Sequence, residues 1–292
     1  QRGERHALVS LGLPGSMEVA AVEDLYRGFL EALEGTDARI IGGNLTSSDP
    51  EWFVNIALVG RVERGRALTR AGARPGDRIL VTGSPGRSAA GLAVLQAVTG
   101  SGATVDHQEI EQFLIANQWA RSLVRAFRQP EARIAAGRRL ARAADRPVTA
   151  LVDLSDGLLG DLAHICEGSG VRAKIEAARL PHDPDLEAAA SHFGRVRAAW
   201  TVGPSDDYEL LLTVRPAASD RVANELRVAT GLVVTEIGEI LPPAVLPQGA
   251  EPPSAGGPPT KKPGIGPSLV EVTGLTPGDA DGGGWDHFRV NA

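Results

Sequence analysis

Apolar residues recur along this chain with two different periods. In residues 18–33, Val19, Val22, Leu25, Tyr26, Phe29, Leu30 and Leu33 follow one another at three- and four-residue spacing. That spacing puts them on one face and predicts an amphipathic helix. Helical spacing also predicts helices over 88–98, 109–127 (with Trp119 on the apolar side), 130–144, 181–193 and 217–229. Short apolar or alternating runs bounded by glycine, proline or acid predict strands over 53–62, 78–82, 172–175, 210–214, 233–240 and 269–272. Arg39-Ile40-Ile41 runs into Gly42-Gly43-Asn44, which reads as a short strand closing in a tight turn. Strands alternating with helices place the chain in the α/β (α+β) class.

Residues 151–162, Leu-Val-Asp-Leu-Ser-Asp-Gly-Leu-Leu-Gly-Asp-Leu, organise the rest. Alternation through Asp153 predicts the end of a buried strand. Asp156-Gly157 predicts a strand-to-helix turn with Asp156 as N-cap. Leu158, Leu159, Leu162, Ala163, Ile165 and Cys166 carry the helix, and Gly168 and Gly170 stop it. Asp153 and Asp156 then flank one turn at a helix N-terminus, a place suited to a hard cation with oxygen ligands or to phosphate. The structural alternative is a strand-end aspartate followed by a cap, with no ligand.

Charge and composition narrow the chemistry. A formal net charge of -6 argues against a nucleic-acid-binding protein. No apolar run reaches the ~18 residues of a membrane span, and no signal peptide is visible. The single cysteine, Cys166, excludes an internal disulfide and suits a reducing cytoplasm. Its place on an apolar helix face reads as core. The lysines are Lys174, Lys261 and Lys262, and none follows a glycine, so a Walker A loop is excluded. A protein-kinase strand lysine is equally absent. Phosphate handling must therefore fall to arginine, backbone N–H groups and metal. The arginines of 130–144 (Arg133, Arg138, Arg139 and Arg142) read as a solvated face. Gly83-Ser84-Pro85-Gly86 lacks the dinucleotide-binding spacing and reads as an ordinary turn. Residues 242–267 are proline-rich and read as a mobile insertion. A start at Gln1 points to a piece of a longer protein.

Six motifs stand in order: Ile41-Gly42-Gly43-Asn44; the arginine-rich residues 65–77; Val81-Thr82-Gly83 with Ser88-Ala89-Ala90-Gly91-Leu92; Asp153-Leu154-Ser155-Asp156-Gly157-Leu158; Asp207-Tyr208-Glu209-Leu210; and Gly284-Trp285-Asp286-His287-Phe288. Together they resemble thiamine-monophosphate kinase, of the aminoimidazole-ribonucleotide-synthetase-like superfamily. The resemblance implies a two-domain kinase fold. Residues 1–64 would be the remainder of an N-terminal ATP-binding and dimerisation domain that lacks its first strands. Residues 65–292 would form a C-terminal α+β domain with a mixed sheet.

The resemblance further implies ATP as co-substrate, thiamine monophosphate as acceptor, Mg²⁺ and a cytoplasmic homodimer. By position, Asp153, Asp156 and Asn44 would be metal ligands. Arg70, Ser155, Gly43 and Asn44 would bind nucleotide, and Asp206 and Trp285 would bind the acceptor. Three positions depart from the pattern: Asn44 and Arg87 each replace an aspartate, and Pro204-Ser205-Asp206 replaces Gly-Gly-Glu. Two other readings stay open: another ATP-dependent synthetase of the superfamily, or a non-catalytic remnant.

Overall fold

The computed structural model describes residues 5–100, 107–243 and 269–275. The chain divides into two compact units, Gln1–Ala67 and Leu68–Ala292.

The first unit is built on strand β1 (Arg5–Leu13), in which Ala7, Val9 and Leu11 alternate into the interior. Helix α1 (Val19–Leu33) carries the chain over to β2 (Ala38–Ser47), which pairs parallel with β1. Strand β3 (Phe53–Val59) pairs antiparallel on the other side of β1, giving the order β2-β1-β3. The unit opens on a strand, because the alternating burial of residues 5–13 gives that run a period of two. One expectation is corrected here. Gly42-Gly43-Asn44 lies inside β2 and not in a turn. The reason is close packing: a Cβ on Gly43 would sit 1.7 Å from the Val9 carbonyl oxygen, so the pair of strands needs glycine at that position.

The second unit is a mixed six-stranded sheet in the order β5-β7-β4-β8-β6-β9. Its strands are β4 (Arg78–Thr82), β5 (Val148–Asp153), β6 (Arg172–Glu176), β7 (Leu210–Val214), β8 (Val234–Leu241) and β9 (Val270–Thr273). Every neighbouring pair is antiparallel except β6 with β9. Period-two alternation splits the strand side chains between two cores. Ile79, Val81, Ala150 and Leu211 pack with Leu158, Leu162, Ile165 and Cys166 of α6 (Leu158–Ser169). Leu80, Val148, Leu212 and Val214 pack on the opposite face with α5 (Ile134–Arg142) and α9 (Ser219–Thr230). Burial on both faces explains why these strands read as continuous apolar runs.

A helical layer completes the unit: α2 (Arg87–Thr99), α3 (His107–Ala116), α4 (Gln118–Arg128), α7 (Pro184–Phe193) and the short α8 (Arg197–Val202). Ala90, Leu123, Leu186, Ala189 and Trp200 form its centre. The helix predicted over 109–127 is two helices, broken at Asn117, whose side-chain amide donates to the Phe113 carbonyl and so ends α3. The acidic turn that leads into β7 begins only after α8. The proline-rich residues 244–268 and the Gly-Trp-Asp-His-Phe motif with Trp285 lie outside the described residues.

Candidate functional site

Strand β5 ends at Asp153, which is exposed, while the next residue, Leu154, is fully buried. Ser155 and Asp156 follow, and the chain reverses through Gly157, whose φ is 95°. A Cβ there would lie 2.2 Å from the Gly203 carbonyl oxygen, so glycine is required by both conformation and space. Helix α6 starts at Leu158 with no side chain capping it from in front. This corrects the reading of Asp156 as the N-cap. The acid that organises the turn is Asp161, buried in the first turn of α6, whose carboxylate accepts from the N–H groups of Ser155 and Asp156, both at 3.0 Å. Burial pushes the Asp161 carboxyl above the ordinary range, against the pull of those two bonds. Asp156 is thus spared from helix capping. His164 Nε2 lies 3.9 Å from the Asp156 Oδ2.

A second turn, residues 203–209, runs beside the first and is bonded to it. Tyr208 N–H donates to the Leu154 carbonyl and Leu154 N–H to the Glu209 carbonyl, each at 2.8 Å. Inward-facing acids anchor this turn on its other side. Asp207 accepts from Gly86 N–H at 2.6 Å, Ser88 N–H at 2.9 Å and the Ser205 hydroxyl at 2.6 Å, and so caps α2 across the chain. Burial pushes the Asp207 carboxyl up, while those three bonds hold it down; burial prevails. Glu209, 6% exposed, receives a bidentate fork from Arg133 (Nε 2.9 Å, Nη2 2.6 Å) and the Thr82 hydroxyl at 2.5 Å. Arg133 is therefore no part of a solvated face. The arginine run supplies the partner that a buried carboxylate needs.

With Asp207 and Glu209 turned inward, Asp206 and Tyr208 turn outward, and both are exposed. Tyr208 has a positive φ of 52°. Partial burial raises its phenol pKa, and the charges of Asp206 and Asp153 raise it further. The backbone sets these residues side by side, since Asp153 pairs with Leu210 and Leu154 is bonded to Tyr208. One patch of the second unit therefore brings Asp153, Asp206 and Tyr208 together, with Ser155 and Asp156 in the adjoining turn.

The other expected positions belong to other segments. Arg70 is exposed on a segment that lines the edge of β5: Leu151 N–H donates to the Thr69 carbonyl, and Ser169 Oγ accepts from Gly72 and Ala73. Gly43 and Asn44 belong to β2 of the first unit, where Asn44 is exposed opposite Ser10. Arg87 ties three helices together through Asp183 at 2.5 Å, Asp185 at 3.2 Å and the Ser122 hydroxyl. Among the described residues, no three His, Cys, Asp or Glu side chains form a metal cluster. Cys166 is buried, and desolvation pushes its thiol up to about 12, in keeping with an inert core residue. Sequence reasoning missed Asp161 and Arg133. Acid in the first helical turn was the available signal for Asp161, whereas Arg133 meets Glu209 only through the fold.

Residues 74–245, more than half of the chain, match the family described as AIR synthase related protein, C-terminal domain. The chain belongs to this family. The matched span of this AIR synthase related chain contains both acidic turns, Arg133 and the capped start of α2. The chain is 33% identical over 207 residues to the thiamine-monophosphate kinase of Aquifex aeolicus (strain VF5), an alignment covering 71% of this chain and 61% of that one. To the thiamine-monophosphate kinase of Escherichia coli (strain K12) it is 35% identical over 207 residues, covering 70% and 57%. It thus spans about six-tenths of the length of these curated relatives. Among solved structures, the thiamine-monophosphate kinase of Stenotrophomonas maltophilia K279a superposes with a TM-score of 0.71 at 28% identity, over 94% of this chain and 72% of that one. AaThiL complexed with AMPPCP and TMP gives 0.71 at 27% identity, over 98% and 75%.

Proposed function

We propose that the protein transfers the γ-phosphoryl group of ATP to thiamine monophosphate, giving thiamine diphosphate and ADP. The observation that carries this reading is the bonded pair of turns that sets Asp153 and Asp206 on one patch. Support comes from relatives named thiamine-monophosphate kinase and from a structural neighbour that holds AMPPCP and TMP. In this reading residues 1–64 belong to an N-terminal ATP-binding and dimerisation domain of a homodimer, and residues 65–292 are the C-terminal domain. The lone buried Cys166 agrees with a cytoplasmic location.

Asp153, Asp156 and Asn44 are assigned to Mg²⁺. The donor set fits: these are oxygen donors, neither aspartate is used to cap α6, and Mg²⁺ is commonly held by one or two carboxylates together with substrate phosphates. Bound Mg²⁺ supplies neutralisation of polyphosphate charge. Arg70, Ser155, Gly43 and Asn44 are assigned to nucleotide. Arg70 offers a planar donor fork and Ser155 a hydroxyl. Asp206 and Trp285 are assigned to the acceptor. The attacking phosphate oxygen is already anionic, so no side chain has to remove a proton, and positioning with electrostatics supplies the catalysis.

The test is incubation with ATP, Mg²⁺ and thiamine monophosphate, with chromatographic separation of thiamine diphosphate and ADP. Equal yields of both products are expected. ADP and inorganic phosphate without thiamine diphosphate would favour another ATP-dependent synthetase of the superfamily. A protein that binds nucleotide and turns over nothing would favour the remnant.

A further inference from the structure

Tyr208 sits in a conformation that side-chain-bearing residues seldom adopt, with φ 52° in the left-handed region. Such a conformation persists only where the surroundings over-determine it. Here they do. Its N–H is bonded to the Leu154 carbonyl, and its neighbours on either side, Asp207 and Glu209, are pinned by α2 and by Arg133. Packing does not account for the side chain itself, which is 40% exposed, while the large residues of this segment's core are below 10%. The backbone is held so that a phenol points outward beside Asp153 and Asp206.

We infer that Tyr208 is a ligand-contacting residue of this site, its O–H donating a hydrogen bond to a phosphate oxygen of a bound substrate. The inference rests on the reading of the patch as a phosphoryl-transfer site. Two carboxylates repel an incoming phosphate, and a neutral donor on the same patch offers that anion a favourable contact with no like charge. The phenol stays protonated there because burial and both neighbouring charges disfavour the phenolate. A lysine in the same place would bind the two acids instead. The phosphate can belong to thiamine monophosphate or to the nucleotide, and the two are separable by measurement.

The experiment is titration calorimetry on the full protein in the presence of Mg²⁺, with thiamine monophosphate and with AMPPCP in separate arms, for wild type, Tyr208→Phe and Tyr208→Ala. Tyr208→Phe keeps the ring and should leave the ligand-free melting temperature nearly unchanged. It should weaken one of the two ligands about tenfold, the size expected for a hydrogen bond to a charged group, and the weakened ligand identifies the phosphate. Tyr208→Ala should weaken the same ligand at least as much. Wild-type affinity for both ligands in Tyr208→Phe overturns the inference, and a loss confined to Tyr208→Ala does so too, by assigning the effect to the ring. If wild type makes thiamine diphosphate and Tyr208→Phe matches it in both arms, only this inference fails. If wild type binds neither ligand, the functional reading fails with it.

Discussion

Replacing Arg133 by Met tests the anchor under the acidic turn. Glu209 is 6% exposed and takes three donor bonds, two from Arg133 and one from Thr82. Arg133→Met removes two of the three and leaves a buried carboxylate with one hydroxyl. Breaking a fully buried ion pair typically costs about 3–5 kcal/mol. The Arg133 side chain keeps 20% exposure and water can reach part of the gap, so about 2–4 kcal/mol is the expected loss. For a unit of this size that is a fall in melting temperature of roughly 5–15 °C. Denaturant unfolding gives the free energy directly and shows whether the slope is unchanged. The second arm is the double variant Arg133→Met with Glu209→Gln. A neutral amide needs no counter-charge and can still meet Thr82, so stability should return to within about 1 kcal/mol of wild type. A single variant that loses less than about 0.5 kcal/mol, or a double variant no better than the single, would refute the claim that the turn depends on this pair.

Gly157→Ala should lose at least about 2 kcal/mol by urea unfolding, because it combines a positive φ with a Cβ driven into Gly203. Asp183 is held below the ordinary aspartate range: burial alone would raise it, but Arg87 and the Leu186 N–H outweigh that. Its contribution is therefore complete above the unfolded value of about 3.9 and is lost as pH falls through the lower folded value. Asp183→Asn should accordingly be less stable than wild type at pH 6 and converge on it at the acid end of a pH series of melting curves. Trp285→Ala should raise KM for thiamine monophosphate several-fold and leave KM for ATP unchanged, since an indole face suits a cationic ring. Equal changes in both KM values would make Trp285 a structural residue.

Periodicity was a good guide wherever burial is one-sided or complete. Residues 78–82 and 210–214 read as strands because both sheet faces are covered and apolar residues run through their middles, and β4 and β7 have those bounds. The end of β5 at Asp153 was legible from the alternation that runs through it. Local pattern failed where long-range packing decides. Gly42-Gly43-Asn44 looks like a turn, yet it is a strand that lies too close to Val9 for a side chain. The arginine run looks solvated, yet Arg133 is committed to a carboxylate 76 residues away. Asp207-Tyr208-Glu209 could be marked as a motif, but only the fold shows that its acids face inward as anchors while the tyrosine faces out.

The parallel pairing of β9 with β6 joins Ala173 to Val270 and Glu176 to Thr273. The antiparallel pairs beside it include β8 with β6, whose register runs from Arg172 with Leu241 to Ile175 with Gly238. β9 has four residues and stands at the end of the strand order with β6 as its neighbour in the sheet, so its contacts are the easiest to lose and the last to settle. The sheet should thus assemble as far as β6 and wait for β9. During that interval β6 presents an unpaired edge, which is a template for a strand from any other chain. Amide exchange should be fastest at β9 among the strands of this sheet. Refolding yield should fall with protein concentration, since intermolecular pairing at β6 competes with the arrival of its own last strand.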